Sequence, residues 1–354
     1  MEQYDIQHPL FERLDWYSEL SSPLSTADNE HYTEEKEKAT RHVDLYHKTD
    51  SDDDTAEILD AFLEYLPQAG QLNLISEILE ICEPDQDRTE LKTLRNFLVD
   101  AVLRPMMRRK GRGCRSRTPS VSSAASSFSG KSEIGERQEQ LRQEALLRDG
   151  GRCVLTGFYD RESLKRDNRA VPRGCFALRT RCAHILPLSL RKFNERTGMQ
   201  TRNIATIWWA LRRYFPNTVP KINTSDLEGT LNQVSNTFTV IGEVQGMFDN
   251  FEIAFRATSE TDFAVELFLR DEYDRRINEV VRYGTNNTGI AAPDRDFLDV
   301  HRRVGQILRV GGIRISILSG SIDRNTPGSC PDTGDTVRRW LLSSESPDVN
   351  LVGV

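Results

Sequence analysis

Residues 182–190 read CAHILPLSL, a run in which one imidazole lies among small and apolar side chains. A buried strand rarely needs an ionisable group, so His184 is either a core residue or half of a site that is completed further along the chain. A histidine within hydrogen-bond reach of water can act as a general base. Pro187 stops the segment, which places His184 close to the end of an extended stretch.

A second stretch, SNTFTVIGEVQGMFDNFEIAF (235–255), predicts a strand, a turn at Gly242, one or two helical turns and a return to a strand. A histidine strand, a connection, a strand that begins with asparagine and a short helix together make the ββα-metal plan. Its chemistry is phosphodiester hydrolysis, in which a histidine deprotonates the attacking water and a divalent cation neutralises the developing charge.

These stretches resemble the HNH endonuclease family, and more narrowly the fungal proteins that carry an HNH domain behind a helical N-terminal region. LLRDGGRCVLTG (146–157) is similar to the first hairpin of the family, and CAHILPLSL is similar to its Ala-His-Ile-x-Pro segment. Residues 235–255 resemble its asparagine strand and metal helix. The resemblance covers roughly residues 55–315, and it implies that His184 is the general base and Asn236 the HNH asparagine.

The resemblance also locates a departure from the family pattern. The second family histidine lies about nine residues after the asparagine, where this chain has Gln245. Some family members also carry a metal-binding side chain just before the base, where this chain has Ala183. Asp249, four residues after Gln245, shares its helical face and can bind a cation. The resemblance therefore implies a divalent metal ion, either Mg²⁺ or a transition metal ion, held by Asp249 and Gln245.

Two functions follow from these residues. The first is an HNH-type metal-dependent endonuclease, of full or reduced activity, with His184 and Asn236 as its catalytic residues. The second is a catalytically inactive HNH fold that binds nucleic acid or protein. The substitution at Gln245 separates the two hypotheses. The expected partner is nucleic acid, DNA rather than RNA, and the oligomeric state is left open.

The cysteines offer an alternative metal site. Cys153, Cys175 and Cys182 with His184 could bind zinc, but their spacing fits no standard zinc pattern and none of the six cysteines forms a CxxC pair. Buried free thiols are the simpler interpretation, and Cys153 is expected to brace the first hairpin. His301 has the charged neighbours Arg302 and Arg303 on its helix and is expected at the surface, while the Trp208–Trp209 pair is expected in the core.

The length of 354 residues points to two domains. Hydrophobic residues make up 37% and charged residues 29%, so part of the chain is expected to be solvated or disordered. The absence of a long apolar run predicts no membrane span, and an acid-rich start argues against a secretory signal, so an intracellular location, nuclear or cytoplasmic, is expected. The net charge of −7 argues only weakly against nucleic acid, because binding depends on how charge is distributed.

The predicted fold class is α+β, with an HNH-like ββα-metal domain and added helices behind a small all-α region. The boundaries are a loosely ordered segment (1–50), a helical unit (51–104), a disordered basic and serine-rich linker (105–133), the HNH-like domain (134–315) and a C-terminal tail (316–354). Residues 104–117 hold seven basic side chains and no acid. This run is either a solvated linker or a signal for nuclear import or phosphate contact; its candidate nucleic-acid-binding residues are Arg108, Arg109, Lys110 and Arg112.

Overall fold

The computed structural model describes residues 26–82, 89–107, 133–191, 207–218, 221, 227–268, 277–283 and 288–310. The helices in these ranges are α1 (Thr26–Asp44), α2 (Thr55–Tyr65), α3 (Gln68–Ile81), α4 (Thr89–Leu98), α5 (Arg104–Met106), α6 (Glu133–Arg148), α7 (Arg161–Arg166), α8 (207–214), α9 (Leu227–Leu231), α10 (Gly242–Asp249) and α11 (Arg295–Val310). The strands are β1 (Tyr159–Asp160), β2 (Ala177–Leu178), β3 (Thr180–His184), β4 (Thr237–Ile241), β5 (Ile253–Ala257), β6 (Asp262–Leu267) and β7 (Val280–Arg282). The fold class is therefore mixed helix and sheet, as predicted.

The chain forms two compact units. The first comprises residues 1–103, 205–221 and 306–318, and the second comprises residues 104–204, 222–305 and 319–354. The predicted boundaries placed 205–221 inside the HNH-like domain, whereas the structure groups this segment with the helical unit. The reason is a long-range polar contact within the first unit, since the buried carboxylate of Glu77 accepts hydrogen bonds from Tyr214 Oη at 2.6 Å and from Arg213 Nε.

The apolar faces of the helices form the core of the first unit. In α2 the faces of Ile58, Phe62 and their neighbours are buried, and in α4 Leu94 and Leu98 are buried, as the 3.6-residue period requires. A π-helical turn at Val99–Leu103 extends α4. Residues 26–44 were expected to be loosely ordered, but they form α1. Their sequence is mostly polar, and within residues 30–44 only Ala39 and Val43, four residues apart, are buried, which is too weak a pattern to reveal the helix.

The second unit is built on three small sheets. β1 pairs with β2 in parallel, β3 pairs with β4 antiparallel, and β5, β6 and β7 form an antiparallel sheet in that order. Helix α10 connects β4 to β5. Three aromatic rings fix its position, because the ring centroid of Phe238 in β4 lies 4.8 Å from that of Phe248 in α10 and 5.1 Å from that of Phe255 in β5. The strand, helix and strand predicted for residues 235–255 are confirmed.

Across the described residues, no helix is both long enough and apolar enough to cross a bilayer. Most of the basic and serine-rich linker, including Arg108, Arg109, Lys110 and Arg112, and all of the predicted C-terminal tail lie outside the described residues.

Two glycines provide a matched test of helix packing. A Cβ on Gly70 of α3 would lie 2.1 Å from the Tyr214 carbonyl oxygen, whereas a Cβ on Gly246 of α10 would meet nothing within 4 Å. We expect Gly70→Ala to destabilise the protein by about 1–3 kcal/mol, because the backbone of Tyr214 must move. Gly246→Ala should stabilise it by about 0.5–1 kcal/mol through helix propensity. Urea denaturation measures both changes, and a stabilised Gly70→Ala variant would contradict this packing.

Candidate functional site

The antiparallel pair of β3 and β4, called the hairpin from here on, carries the predicted base and the predicted asparagine at the same end. The strands pair in the register Thr180 with Ile241 through His184 with Thr237. His184 is the last residue of β3, and Asn236 directly precedes β4. The structure therefore brings His184 and Asn236, which are 52 residues apart, to the same end of the hairpin.

Asn236 is completely buried, and its side chain is bound to backbone groups. Its Oδ1 accepts the amide hydrogen of Leu186 at 2.8 Å, while its Nδ2 donates to the carbonyls of Leu186 at 3.1 Å and Leu231 at 2.9 Å. Its own carbonyl accepts the amide of Ile185 at 2.9 Å. This arrangement makes Asn236 a positioning residue, because it fixes the two residues that follow His184.

The register also defines the two faces of the hairpin. Alternate residues of a strand point to opposite faces, so Ala183 lies on the same face as Phe238, its pairing partner, which contacts α10. His184 lies on the other face with Thr237. A contact between His184 and a group bound at α10 thus requires the imidazole to extend around the end of β3. The face that packs on α10 presents fully buried Ala183, which has no ligand atom.

The outer edge of β4 is fixed by a buried ion pair. Arg148 Nε and Nη2 donate to the two carboxylate oxygens of Asp149 at 2.7 and 3.1 Å, and Asp149 Oδ2 accepts the amide of Thr239 at 2.7 Å. Arg148 also donates to the carbonyls of Val234, Ala291 and Thr237 at 2.9, 3.2 and 2.8 Å. All five N–H groups of the guanidinium are thereby used. Burial opposes the charge, but the Asp149 carboxylate still holds the pKa of Arg148 above its usual value.

Asp160 fixes the other end of the hairpin. Its carboxylate, which is completely buried, accepts the amide and the hydroxyl of Thr180 at 3.0 and 2.7 Å and caps α7 through the amide of Ser163 at 2.7 Å. Arg142 of α6 donates to the same carboxylate at 3.2 Å. The start of β3 is thus bound to both helices.

The C-terminal end of α10 packs against His301. This histidine is buried, whereas the sequence predicted it at the surface. The His301 ring stacks on Phe248 at 3.7 Å and on Phe251 at 4.5 Å, and its Nε2 donates to the Phe248 carbonyl at 3.0 Å. The prediction was wrong because the charges of the neighbouring Arg302 and Arg303 pair with Asp299 on the same helix, which leaves the histidine face free to turn inward.

The α10 terminus also has an unusual backbone. Phe251 has a φ of +56°, and the amides of Phe251 and Glu252 bind the carbonyls of Phe248 and Met247. This is a Schellman ending, in which glycine is the usual residue at the left-handed position. Stacking of the Phe251 ring on His301 compensates for the strained backbone and fixes the position of the segment that carries Asp249.

The candidate metal ligands Gln245 and Asp249 lie one turn apart on α10, and both are half-buried. Within the described ranges, no group of three or more histidine, cysteine, aspartate or glutamate side chains is placed to hold a metal ion. One carboxylate and one amide oxygen fit a hydrated Mg²⁺ ion whose shell is completed by water and phosphate. They are a poorer fit for Ni²⁺ or Zn²⁺, which favour imidazole or thiolate ligands.

The alternative zinc site is not formed in the structure. Cys153 is buried and Cys175 is exposed, and no cluster that includes them meets the geometry of a metal site in the described chain. Burial raises the pKa of the Cys182 thiol to about 11, so this group is protonated at neutral pH. Burial likewise raises the pKa of Cys153, whose fully buried position agrees with its predicted bracing role.

Comparisons with known protein families, with curated proteins and with solved structures give no match for this chain. The geometry must therefore carry the functional argument. Sequence reasoning missed the positioning roles of Arg148, Asp149, Asp160 and His301. The Arg-Asp dipeptide before a glycine pair was visible in the sequence as part of the first hairpin, but nothing in it showed that both charges would be buried.

The brace formed by Asn236 can be tested by removing its amide. Asn236→Ala leaves the Leu186 amide and two carbonyls buried without partners, which should cost about 2–4 kcal/mol of unfolding free energy. Hydrogen exchange at the Leu186 amide should accelerate with it. Asn250→Ala is the control, because its amide makes only a 3.4 Å contact with Glu252, and we expect a loss below about 1 kcal/mol. Equal losses in the two variants would show that the brace contributes little.

Proposed function

We propose that the second unit is an HNH-type ββα fold and that the protein hydrolyses phosphodiester bonds of nucleic acid, DNA in preference to RNA. The observation that supports this most is the order β3, β4, α10 with His184 at the end of β3 and the Asn236 amide binding Leu186. A histidine strand braced by an asparagine and followed by a short helix is the plan that the sequence resemblance implies.

In this proposal His184 is the general base. Its imidazole takes a proton from the water that attacks phosphorus, and Asn236 keeps the backbone after His184 in place without touching the reacting atoms. A proton acceptor held rigidly beside its substrate contributes about 10²–10⁴-fold to rate. Rigidity here follows from the hydrogen bonds of Ile185 and Leu186 to Asn236.

Asp249 and Gln245 would hold a Mg²⁺ ion through their oxygen atoms. When bound, such an ion neutralises charge on the phosphate oxygens. The position of Asp249 in the last turn of α10 supports this assignment, because a carboxylate next to the negative end of the helix dipole is more stable beside a cation.

A second candidate is a catalytically inactive fold that binds nucleic acid or protein. Three observations favour it: fully buried Ala183 on the face toward α10, Gln245 in place of the family histidine, and the absence of a three-ligand cluster in the described part of the chain. The cross-strand register adds to this, because it directs His184 to the other face of the hairpin.

The hydrolytic role of His184 is tested by nicking of supercoiled plasmid with the full-length protein and Mg²⁺. We expect His184→Ala to lower the nicking rate by about 10²–10⁴-fold, with an unchanged circular dichroism spectrum. His47→Ala removes an exposed histidine of the first unit and should leave the rate unchanged. Equal rates for wild type and His184→Ala would remove His184 from the mechanism.

Gln245→His distinguishes the two candidate functions. An imidazole one turn from Asp249 should tighten binding of Mn²⁺ or Ni²⁺, as measured by calorimetry, and should raise nicking at least about tenfold, which is about 1.4 kcal/mol of barrier. Nicking that appears only in the variant would indicate one lesion in a preserved nuclease. Tighter metal binding without nicking in either protein would favour the binding fold. An unchanged metal affinity would show that Gln245 does not face the site.

A further inference from the structure

One stretch of the second unit has the opposite charge to the chain as a whole. Residues 152–181 contain eight basic side chains and three acidic ones, a net charge of 8 − 3 = +5, whereas the whole chain carries −7. All eight cations are exposed. We call them the arginine surface: Arg152, Arg161, Lys165, Arg166, Arg169, Arg173, Arg179 and Arg181.

Most of these charges are not neutralised by the protein. Arg166 pairs with Asp167 at 3.4 Å and Arg179 pairs with Glu162 at 3.1 Å, and the other six cations make no ion pair with any described residue. The third acid of the stretch, Asp160, is buried and bound to Arg142 and Thr180. Exposed cations without counter-charges are free to bind an external anion.

The arginine surface leads to the candidate site. It begins at Arg152, crosses α7 and the exposed loop of residues 167–176, and continues into β3. The Arg179–Glu162 pair joins α7 to the residue that precedes β3. The Arg181 guanidinium lies 3.6 Å from the position of a Cβ on Gly242, at the start of α10. Arg181 shares the face of β3 that packs on α10, and it precedes His184, which points to the other face, by three residues or about 10 Å along the strand.

Aromatic rings lie among these cations. Phe176 is 41% exposed and its ring is held by buried Phe158 at 5.4 Å. The Tyr159 ring lies 5.4 Å below the Arg152 guanidinium. An exposed, supported aromatic ring amid arginines is the arrangement on which unpaired bases stack.

We propose that the arginine surface is the docking site for a single strand of nucleic acid, which it holds by its phosphates while a base stacks on Phe176. This inference rests on the proposed function, since it supplies the surface by which a strand would reach His184. Seven of the eight cations are arginines, whose planar fork matches two phosphate oxygens. Binding to a membrane surface would instead need an amphipathic helix with a broad apolar face. Helix α7 has only six residues, and four of them are charged and exposed.

The full-length protein and fluorescence anisotropy with labelled oligonucleotides of about 20 nucleotides test this proposal. The double variant Arg169→Ala/Arg173→Ala removes two cations that have no ion pair with a described residue. The control Arg256→Ala/Arg282→Ala removes two exposed cations of the same unit that pair with Glu266 and Asp262. At about 0.1 M salt we expect the first variant to bind at least about tenfold more weakly, with a log–log salt slope lower by about 1.4, and the control to change by less than about twofold.

Phe176→Ala gives an independent test, because it leaves every charge in place. It should weaken binding of the single strand about tenfold and leave binding of the duplex nearly unchanged, since paired bases are not available for stacking. Equal affinities of the two double variants, or a preference of the wild type for phosphatidylserine vesicles over oligonucleotides, would overturn the proposal.

The outcome is separable from that of the hydrolase assay. Weak binding by Arg169→Ala/Arg173→Ala together with no nicking by the wild type would support the docking surface and reject the hydrolase. Nicking by the wild type together with equal binding by both double variants would support the hydrolase and reject the docking surface.

Discussion

The second unit depends on the buried pair of Arg148 and Asp149. A guanidinium taken out of water is stable only when its charge and all its N–H groups are satisfied, and here one carboxylate and three carbonyls do so. The carbonyls belong to residues just before and at the start of β4 and to the segment before α11. Tyr283 directly follows β7, and the centroid of its ring lies 5.1 Å from the guanidinium and covers the pair. One charged side chain therefore fixes the relative positions of segments up to 143 residues apart.

Buried polar side chains also fix the backbone at the candidate site. Asn236 and Asp160 are also fully buried polar groups, and most of their hydrogen bonds go to backbone groups. Buried polar groups with several fixed partners allow few alternative arrangements. His184 is consequently held, largely buried, at a rigid hairpin end, whereas the cations of residues 152–181 are exposed. The unit thus combines a rigid end that carries an imidazole with a positively charged surface formed by residues 152–181.

The sequence predicted much of this architecture, because periodicity reports burial directly. The apolar faces of α2 and α4 and the strand, helix and strand of residues 235–255 follow from spacing, and the helix α11 follows from its Pro-Asp start and the glycines after it. Helix α1 did not, since its two buried residues give almost no pattern. The inward position of His301 was also hidden, because its arginine neighbours pair with Asp299 within the helix and so do not hold it at the surface.

Long-range polar contacts were a second feature that the sequence did not predict. The grouping of α8 with the helical unit depends on Glu77, a carboxylate that local pattern places on a helix surface but that the fold buries against Arg213 and Tyr214. The resemblance implied that His184 and Asn236 belong to one site, and they lie at the same end of the hairpin of β3 and β4. It could not give the direction of each side chain, which depends on the register of β3 and β4.

The central claim is that nucleic acid binds the second unit along residues 152–191, whether or not hydrolysis follows. Photocrosslinking of the full-length protein to a single-stranded oligonucleotide that contains bromodeoxyuridine, followed by proteolysis and mass spectrometry, tests it most directly. The account predicts crosslinked peptides from residues 152–191, with Phe176 among the modified side chains. Crosslinks that map only outside this segment would contradict it.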